Sequence, residues 1–320
     1  MAVVVVVLVS VVLAGVAAAV TASPGIHADP VDPAAEEARV EAALRRRPGL
    51  RALLRRRLDR WSAGVLALVA SSVVLLAVAV LVGLLLDMID ENAGLADLDA
   101  SVATWGADHA TTTSTRVLEA ITQFGARPVV LLALLAVALY DHHRRHNPEV
   151  FAFVAIVGLG EMLLGNGLKL LVGRERPDVL RLVQAGGSSF PSGHTSAAAA
   201  AWVAVALVLG RDRSRSVRAV LSGAAVLIAV AVATSRALLG VHWLTDVIAG
   251  LAVGWGWYLV VAIAFGGRRQ RLGSPAQTAE PAMRRPAGSS SGVGPPRTAD
   301  VVHHTGATGS PEDHDMRTTT

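Results

Sequence analysis

WSAGVLALVASSVVLLAVAVLVGLLL, residues 61–86, carries no charged side chain in 26 positions. A helix of that length, at about 1.5 Å per residue, exceeds the roughly 30 Å hydrocarbon core of a bilayer. A water-exposed helix keeps a polar face, and this segment has none, so its solvent is lipid. Working outward, further apolar segments lie near 120–140, 149–172, 194–210, 219–236 and 243–266. The sequence predicts an all-α fold: an integral-membrane six-helix bundle over 61–266.

Composition agrees. Of the 320 residues, 52% are hydrophobic and only 4% aromatic, so the apolar content is Ala, Val and Leu in long runs. The chain has no Cys, which excludes a disulfide framework, a thiolate nucleophile and a thiolate metal site. A net charge of +4 could suggest nucleic acid, but the arginines cluster beside apolar segments. That pattern reads as membrane orientation, and no nucleic-acid partner is expected.

The loop charges alternate. Residues 87–115 hold six acids and no Lys or Arg and should lie outside, whereas 141–148, with Arg144 and Arg145, should lie inside. Residues 211–218, with four Arg, and Arg268, Arg269 and Arg271 also read as inside, leaving 173–193 and 237–242 outside. The loop 173–193 breaks the rule, since it carries Arg174, Arg176 and Arg181 on the outer side, an exception that points to a functional use of charge. Residues 23–60 read as a cytoplasmic linker and basic segment, with eight Arg between 45 and 60. Residues 1–22 resemble a signal peptide in outline but lack a basic n-region. Cleavage after residue 22 would place the eight arginines outside, so an additional N-terminal transmembrane helix or a misassigned start is preferred over a signal. Residues 267–320 are rich in Pro, Gly, Ser and Thr and read as a disordered cytoplasmic tail.

Three stretches that topology brings to the outer level carry chemistry: KLLVGRERP (169–177), PSGH (191–194) and SRALLGVHWLTD (235–246). Lys169 is the only lysine among 29 basic residues. With Arg176 and Arg236 it supplies three cations, and arginine forks grip tetrahedral oxyanions bidentately. Ser192 and Gly193 precede a helix, whose N-terminal N–H groups and dipole favour an anion. His242 and Asp246 are four apart, so on a helix the carboxylate can hold one imidazole nitrogen and leave the other free to attack. His194 can serve as general acid. The scheme needs no metal and no cofactor. Taken singly, each residue has a structural alternative: His242 and Trp243 as interfacial belt residues, Asp246 as a cap or an ion-pair partner of Arg236.

Together, the spacings Lys, six residues, Arg-Pro; Pro-Ser-Gly-His; and Ser-Arg, five residues, His, three residues, Asp resemble those of the type 2 phosphatidic acid phosphatase (PAP2) superfamily. That superfamily also includes soluble acid phosphatases, glucose-6-phosphatase and vanadium haloperoxidases. The resemblance covers roughly 60–266, with the motifs confined to 169–246. It implies that His242 forms a phosphohistidine, Asp246 orients it and His194 protonates the leaving group. It further implies that Lys169, Arg176, Ser192, Gly193 and Arg236 hold the phosphoryl oxygens. The expected function is hydrolysis of a lipid phosphomonoester or pyrophosphate, with polyprenyl pyrophosphate (undecaprenyl among them), phosphatidic acid and phosphatidylglycerophosphate as leading substrates. The expected location is the cell membrane, multi-pass, with the site facing the non-cytoplasmic side.

Two alternatives stand beside this reading. A lipid transporter or non-catalytic lipid-binding protein on this scaffold would not need both His194 and His242, and the haloperoxidases of the superfamily are soluble. The composition leaves oligomeric state open. Glu161 and Asn166, inside the Lys169 segment, are candidates for substrate or proton roles. Asp141, His142, His143 and His146 read as a solvated turn rather than a metal site, Trp255, Trp257 and Tyr258 as an interfacial belt, and Trp243 as a candidate lining of the lipid entry.

Overall fold

The structure, a computed structural model, describes residues 63–179, 182–183 and 186–267. The expectations for 1–22, for the arginines of 45–60, for Arg181 and for the tail beyond 267 lie outside the described residues. Within them the elements run α1 (Ala63–Glu91), α2 (Asp97–Asp108), α3 (Thr112–Thr122), α4 (Arg127–Arg145), α5 (Glu149–Val172), α6 (Gly193–Gly210), α7 (Arg215–Leu238) and α8 (Leu244–Gly267). Among the described residues there is no strand.

Helices α1, α5, α6, α7 and α8 are each long and apolar enough to cross a membrane. The sixth span expected at 120–140 is a bent pair instead: α3 with its 3-10 turn Gln123–Gly125, then α4, at 49°. Pro128 accounts for the break, because its ring removes an N–H and clashes with the preceding turn, which confines proline to the start of a helix. The acidic connection expected over 87–115 also proves largely helical. Asp97 and Asp99 sit in the first turn of α2, where carboxylates complement the helix dipole. Thr111 caps α3 reciprocally, accepting from the Ser114 N–H at 3.1 Å while its own N–H donates to Ser114 Oγ at 2.9 Å. These two helices pack on α7 and bury Leu118 against Leu238, Leu239 and Val241.

Helix α6 is the axis of the bundle, packed against α4, α5, α7 and α8. Its Ala197–Ala201 run is buried, and small side chains let helix backbones approach closely where lipid supplies no hydrophobic drive. At Gly254 of α8 a Cβ would lie 2.3 Å from Ser196 O, so only glycine permits this crossing. Phe153, Leu134, Val208 and Phe265 fill the core around α6, while the large side chains of α1, such as Leu68 and Leu76, face outward.

Two expectations are corrected by packing. Trp257 lies on α8 against α5, its Nε1 donating to Ile156 O at 3.1 Å, and Tyr258 is buried in the core, so this cluster is mid-helix packing and not a belt. Asp141 is not in a solvated turn. It is buried on the last turns of α4, accepting from Arg145 Nε at 2.8 Å and from Arg211 Nη1 at 2.7 Å, because an unpaired buried carboxylate would be costly.

Candidate active site

The ends of four elements meet at one end of the bundle. Helix α5 brings Lys169, the N-terminus of α6 brings Gly193 and His194, the last turn of α7 brings Arg236, and the first turn of α8 brings Asp246. Two connections complete the site, 173–192 with Arg174 and Arg176, and 239–243 with His242. All eight residues expected from sequence therefore come to this one end. His194 is held from behind by the α3–α4 break: a Cβ on Gly125 would lie 2.5 Å from His194 O.

His242 is buried, with Nε2 3.2 Å from Arg176 Nη1 and Nδ1 3.5 Å from Asp246 Oδ2. A guanidinium only donates, so Nε2 must carry the lone pair and the ring proton sits on Nδ1, toward the carboxylate. The 3.5 Å separation is an electrostatic contact, longer than a formed N–H···O bond. Burial, aided by the charges of Arg236 and Arg176 and opposed by Asp246, holds the His242 pKa down at about 4. The imidazole is neutral at pH 7.

Asp246 is fully buried and shared. Its Oδ2 accepts from the Trp243 N–H at 2.9 Å, and its Oδ1 accepts from Arg174 Nη1 at 2.7 Å. The same guanidinium donates to Thr245 Oγ1 at 2.7 Å and to Asp99 Oδ2 at 2.8 Å. Asp99, buried on α2, also accepts from the N–H of Thr245 at 2.9 Å. The ion-pair partner of Asp246 is thus Arg174, not Arg236. Arg174 and Asp99 were missed as site residues: Arg174 stood out only as a charge on the wrong side, Asp99 only as one of six loop acids. Arg174 also lies over the Trp243 ring, 5.4 Å from its centroid, and Trp243 Nε1 donates to Glu175 O at 2.9 Å, which ties the tryptophan to the loop.

The cations converge. Lys169 Nζ donates to Ser188 O at 2.8 Å, with its Cε 3.7 Å from where a Gly193 Cβ would stand. Arg176 donates to the carbonyls of Gly187 at 3.0 Å, Gly186 at 2.9 Å and Val241 at 2.6 Å. Arg236 is buried, and its Nε finds no hydrogen-bond partner among the described residues. Ser192 is tied into the start of α6. Its N–H donates to Asp246 O at 3.0 Å and its buried hydroxyl accepts from Thr195 Oγ1 at 2.9 Å, so the N–H groups left open by helix geometry begin at Gly193.

Glu161 is buried in the middle of α5 and accepts from Ser196 Oγ, two residues beyond His194. Asn166 accepts from Arg127 Nη2 at 2.7 Å. Arg127 was not singled out in the sequence, although a charge inside the apolar stretch 120–140 was the available signal.

At one end of the bundle a neutral, carboxylate-backed imidazole stands beside convergent cations, and the known proteins that this chain resembles are phosphatases. The family model of the PAP2 superfamily matches residues 149–270. Phosphatidylglycerophosphatase B of Bacillus subtilis (strain 168) is 31% identical over 143 residues, 43% of this chain and 68% of that protein. Lipid A 1-phosphatase of Rhizobium etli is 35% identical over 126 residues, 36% of this chain and 49% of the relative. The crystal structure of a transmembrane PAP2-type phosphatidylglycerolphosphate phosphatase from Bacillus subtilis superposes with a TM-score of 0.53 at 26% identity, covering 60% of this chain and 93% of that one. The chain belongs to the PAP2 superfamily.

Proposed function

We propose that this protein hydrolyses a lipid phosphomonoester or pyrophosphate through a phosphohistidine on His242. The observation that carries the reading is the His242 environment: Nε2 bears its lone pair 3.2 Å from Arg176, while Nδ1 faces Asp246. The nucleophilic atom and a phosphate-binding fork are therefore already adjacent.

In this mechanism the phosphoryl oxygens take the donors that Arg176 and Lys169 otherwise give to Val241, His242 and the 186–188 carbonyls. Arg236 and the open N–H groups from Gly193 complete the cradle, and Ser192 supports it by anchoring α6 to Asp246. Nε2 attacks phosphorus in line, the bond to the leaving oxygen breaks, and His194 supplies that oxygen's proton. The positive charge gained by the ring is balanced by Asp246. A water then gives its proton to His194, attacks the phosphohistidine and releases inorganic phosphate.

A lipid substrate is supported by the relatives, one named for phosphatidylglycerophosphate and another for lipid A, and by a site set at the end of membrane helices. The non-cytoplasmic orientation is supported by Arg144, Arg145, Arg211 and Arg213 clustering at the opposite end of the bundle. Purified protein assayed for phosphate release against polyprenyl pyrophosphate, phosphatidic acid and phosphatidylglycerophosphate tests this. His242→Ala should abolish turnover and His194→Ala should lower it by ~10²–10⁴-fold. Wild type releasing no more phosphate than either variant would end the catalytic reading.

A further inference from the structure

The end of the bundle away from His242 carries a cleft that the reaction does not use. It lies between the last turns of α4 and α6 and the turn into α7, and holds about 180 Å³. Four guanidiniums line it, those of Arg144, Arg145, Arg211 and Arg213, against two carboxylates, Asp212 on its wall and the buried Asp141. Arg145 and Arg211 are engaged within the protein. They donate to Asp141 at 2.8 Å and 2.7 Å, and Arg145 also pairs with Asp212.

Arg144 and Arg213 are held differently. Neither makes an ion pair among the described residues, and both donate to one neutral atom, Tyr140 Oη, at 3.4 Å and 3.2 Å. Arg144 also lies 5.9 Å from the centroid of the Tyr140 ring. Two like charges are thus drawn to a single oxygen with no carboxylate between them, which is unfavourable until an anion joins them. Membrane orientation explains arginines at this end of the bundle, but it acts through their number and requires no such convergence.

The approach to the cleft is apolar. Leu132, Ala136, Tyr140 and Arg144 are spaced four apart on α4 and all are exposed, so one strip of the helix runs from hydrocarbon to a phenol and then to a guanidinium. Leu209 adds an apolar wall to the cleft itself. This order is that of a phospholipid, acyl chain followed by headgroup, set where membrane helices end. Basic pockets between helix ends are a recurrent seat of anionic headgroups.

We propose that this cleft is a second lipid site, which takes the headgroup phosphate of an anionic phospholipid between Arg144 and Arg213 while an acyl chain lies along Leu132 and Ala136. The length of α6, 18 residues or roughly 27 Å, separates it from the active site, so the lipid held there is a ligand and not a substrate. The site stands whether or not the phosphatase reading does.

The test measures binding of phosphatidylglycerol, phosphatidylcholine and inorganic phosphate to the full-length protein in detergent, by native mass spectrometry. Phosphatidylglycerol should bind ~10-fold or more tightly than phosphatidylcholine. Arg144→Gln combined with Arg213→Gln should weaken phosphatidylglycerol by ~10-fold or more and leave phosphatidylcholine unchanged. Tyr140→Phe, neutral and of the same shape, should weaken it by about 3-fold, because both guanidiniums lose their common acceptor. Arg268→Gln combined with Arg269→Gln removes the same charge from beyond α8 and should leave the preference intact. The unfolding midpoint without added lipid reports the fold of each variant, and if the double variant at the cleft does not fold, Tyr140→Phe decides. Equal affinity for the two lipids, or an affinity unmoved by the cleft variants, overturns the inference. An equal loss in the Arg268 and Arg269 variant does so too, since it marks unspecific attraction to surface charge. Inorganic phosphate displacing phosphatidylglycerol at equal concentration assigns the cleft to a free anion and overturns the lipid reading.

Discussion

Arg174→Met puts the least expected part of the site to the test. The guanidinium is 15% exposed and joins two carboxylates exposed by only 5% and 0%, Asp99 and Asp246. Methionine fills similar space and offers no charge. Asp99 then keeps the Thr245 N–H and hydroxyl, and Asp246 keeps the Trp243 N–H, but both lose their only ion-pair cation among the described residues. Removing one partner from a buried ion pair costs about 3–5 kcal/mol, because the charge left behind is uncompensated. Against a total stability of ~5–15 kcal/mol this is a large fraction. Denaturant titration in detergent should show the midpoint falling accordingly. Adding Asp99→Asn removes one bare carboxylate and should recover about 1–3 kcal/mol, a coupling that a double-mutant cycle reads directly. The same change reaches the chemistry. Without the guanidinium, Asp246 presents more uncompensated negative charge to His242, raising the imidazole pKa from about 4. A protonated imidazole cannot attack, so the acid limb of kcat/KM should move to higher pH. Arg174→Met matching wild type within ~0.5 kcal/mol, with the acid limb unmoved, would refute the claim that this network holds and tunes the nucleophile.

In the wild type, burial keeps His242 neutral down to about pH 4, so kcat/KM should hold through the range where a free histidine protonates, near 6.5, and fall only as pH approaches 4. Stability should show the matching dependence. Between about pH 6.5 and 4 the unfolded chain binds a proton at this position that the folded one does not, so stability is complete above that window and falls as pH drops through it. His242→Gln should lose less on acidification from pH 7 to 4.5, and equal acid sensitivity in the two proteins would count against the burial argument. At the α6–α8 crossing, Gly254→Ala drives a methyl to within 2.3 Å of Ser196 O, and overpacking of this kind should cost about 1–3 kcal/mol in thermal or denaturant unfolding; an unchanged midpoint would mean that the crossing is loose.

Much of the molecule was legible in the chain. Runs such as 61–86 and 149–172 declare their solvent through what they lack, so helix existence follows without knowledge of neighbours. The three motif stretches could be grouped because alternating loop charge assigned them to one level. The helix inside 87–115 was harder to see, because its apolar residues, Val102 and Trp105 among them, are sparse among acids and gain meaning only against the end of α7. The broken span at 123–126 carried its signal in Pro128, which an otherwise apolar stretch concealed.

Tertiary structure decided who pairs with whom. The i, i+4 spacing of His242 and Asp246 is local, so sequence could bring them near each other, although His242 stands in the 239–243 connection before α8 and not on one helix face with Asp246. It could not reveal that Asp246 is claimed by Arg174 from 72 positions away, or that Asp99, 146 positions before Thr245, completes the clamp. Nor could it show Arg127 bonded to Asn166, 39 positions away. Solvent preference and short-range spacing are properties of a segment alone, readable wherever that segment stands. Ion pairing in a buried site depends on which distant charges the packing leaves within about 3 Å of one another, and a linear sequence does not hold that distance.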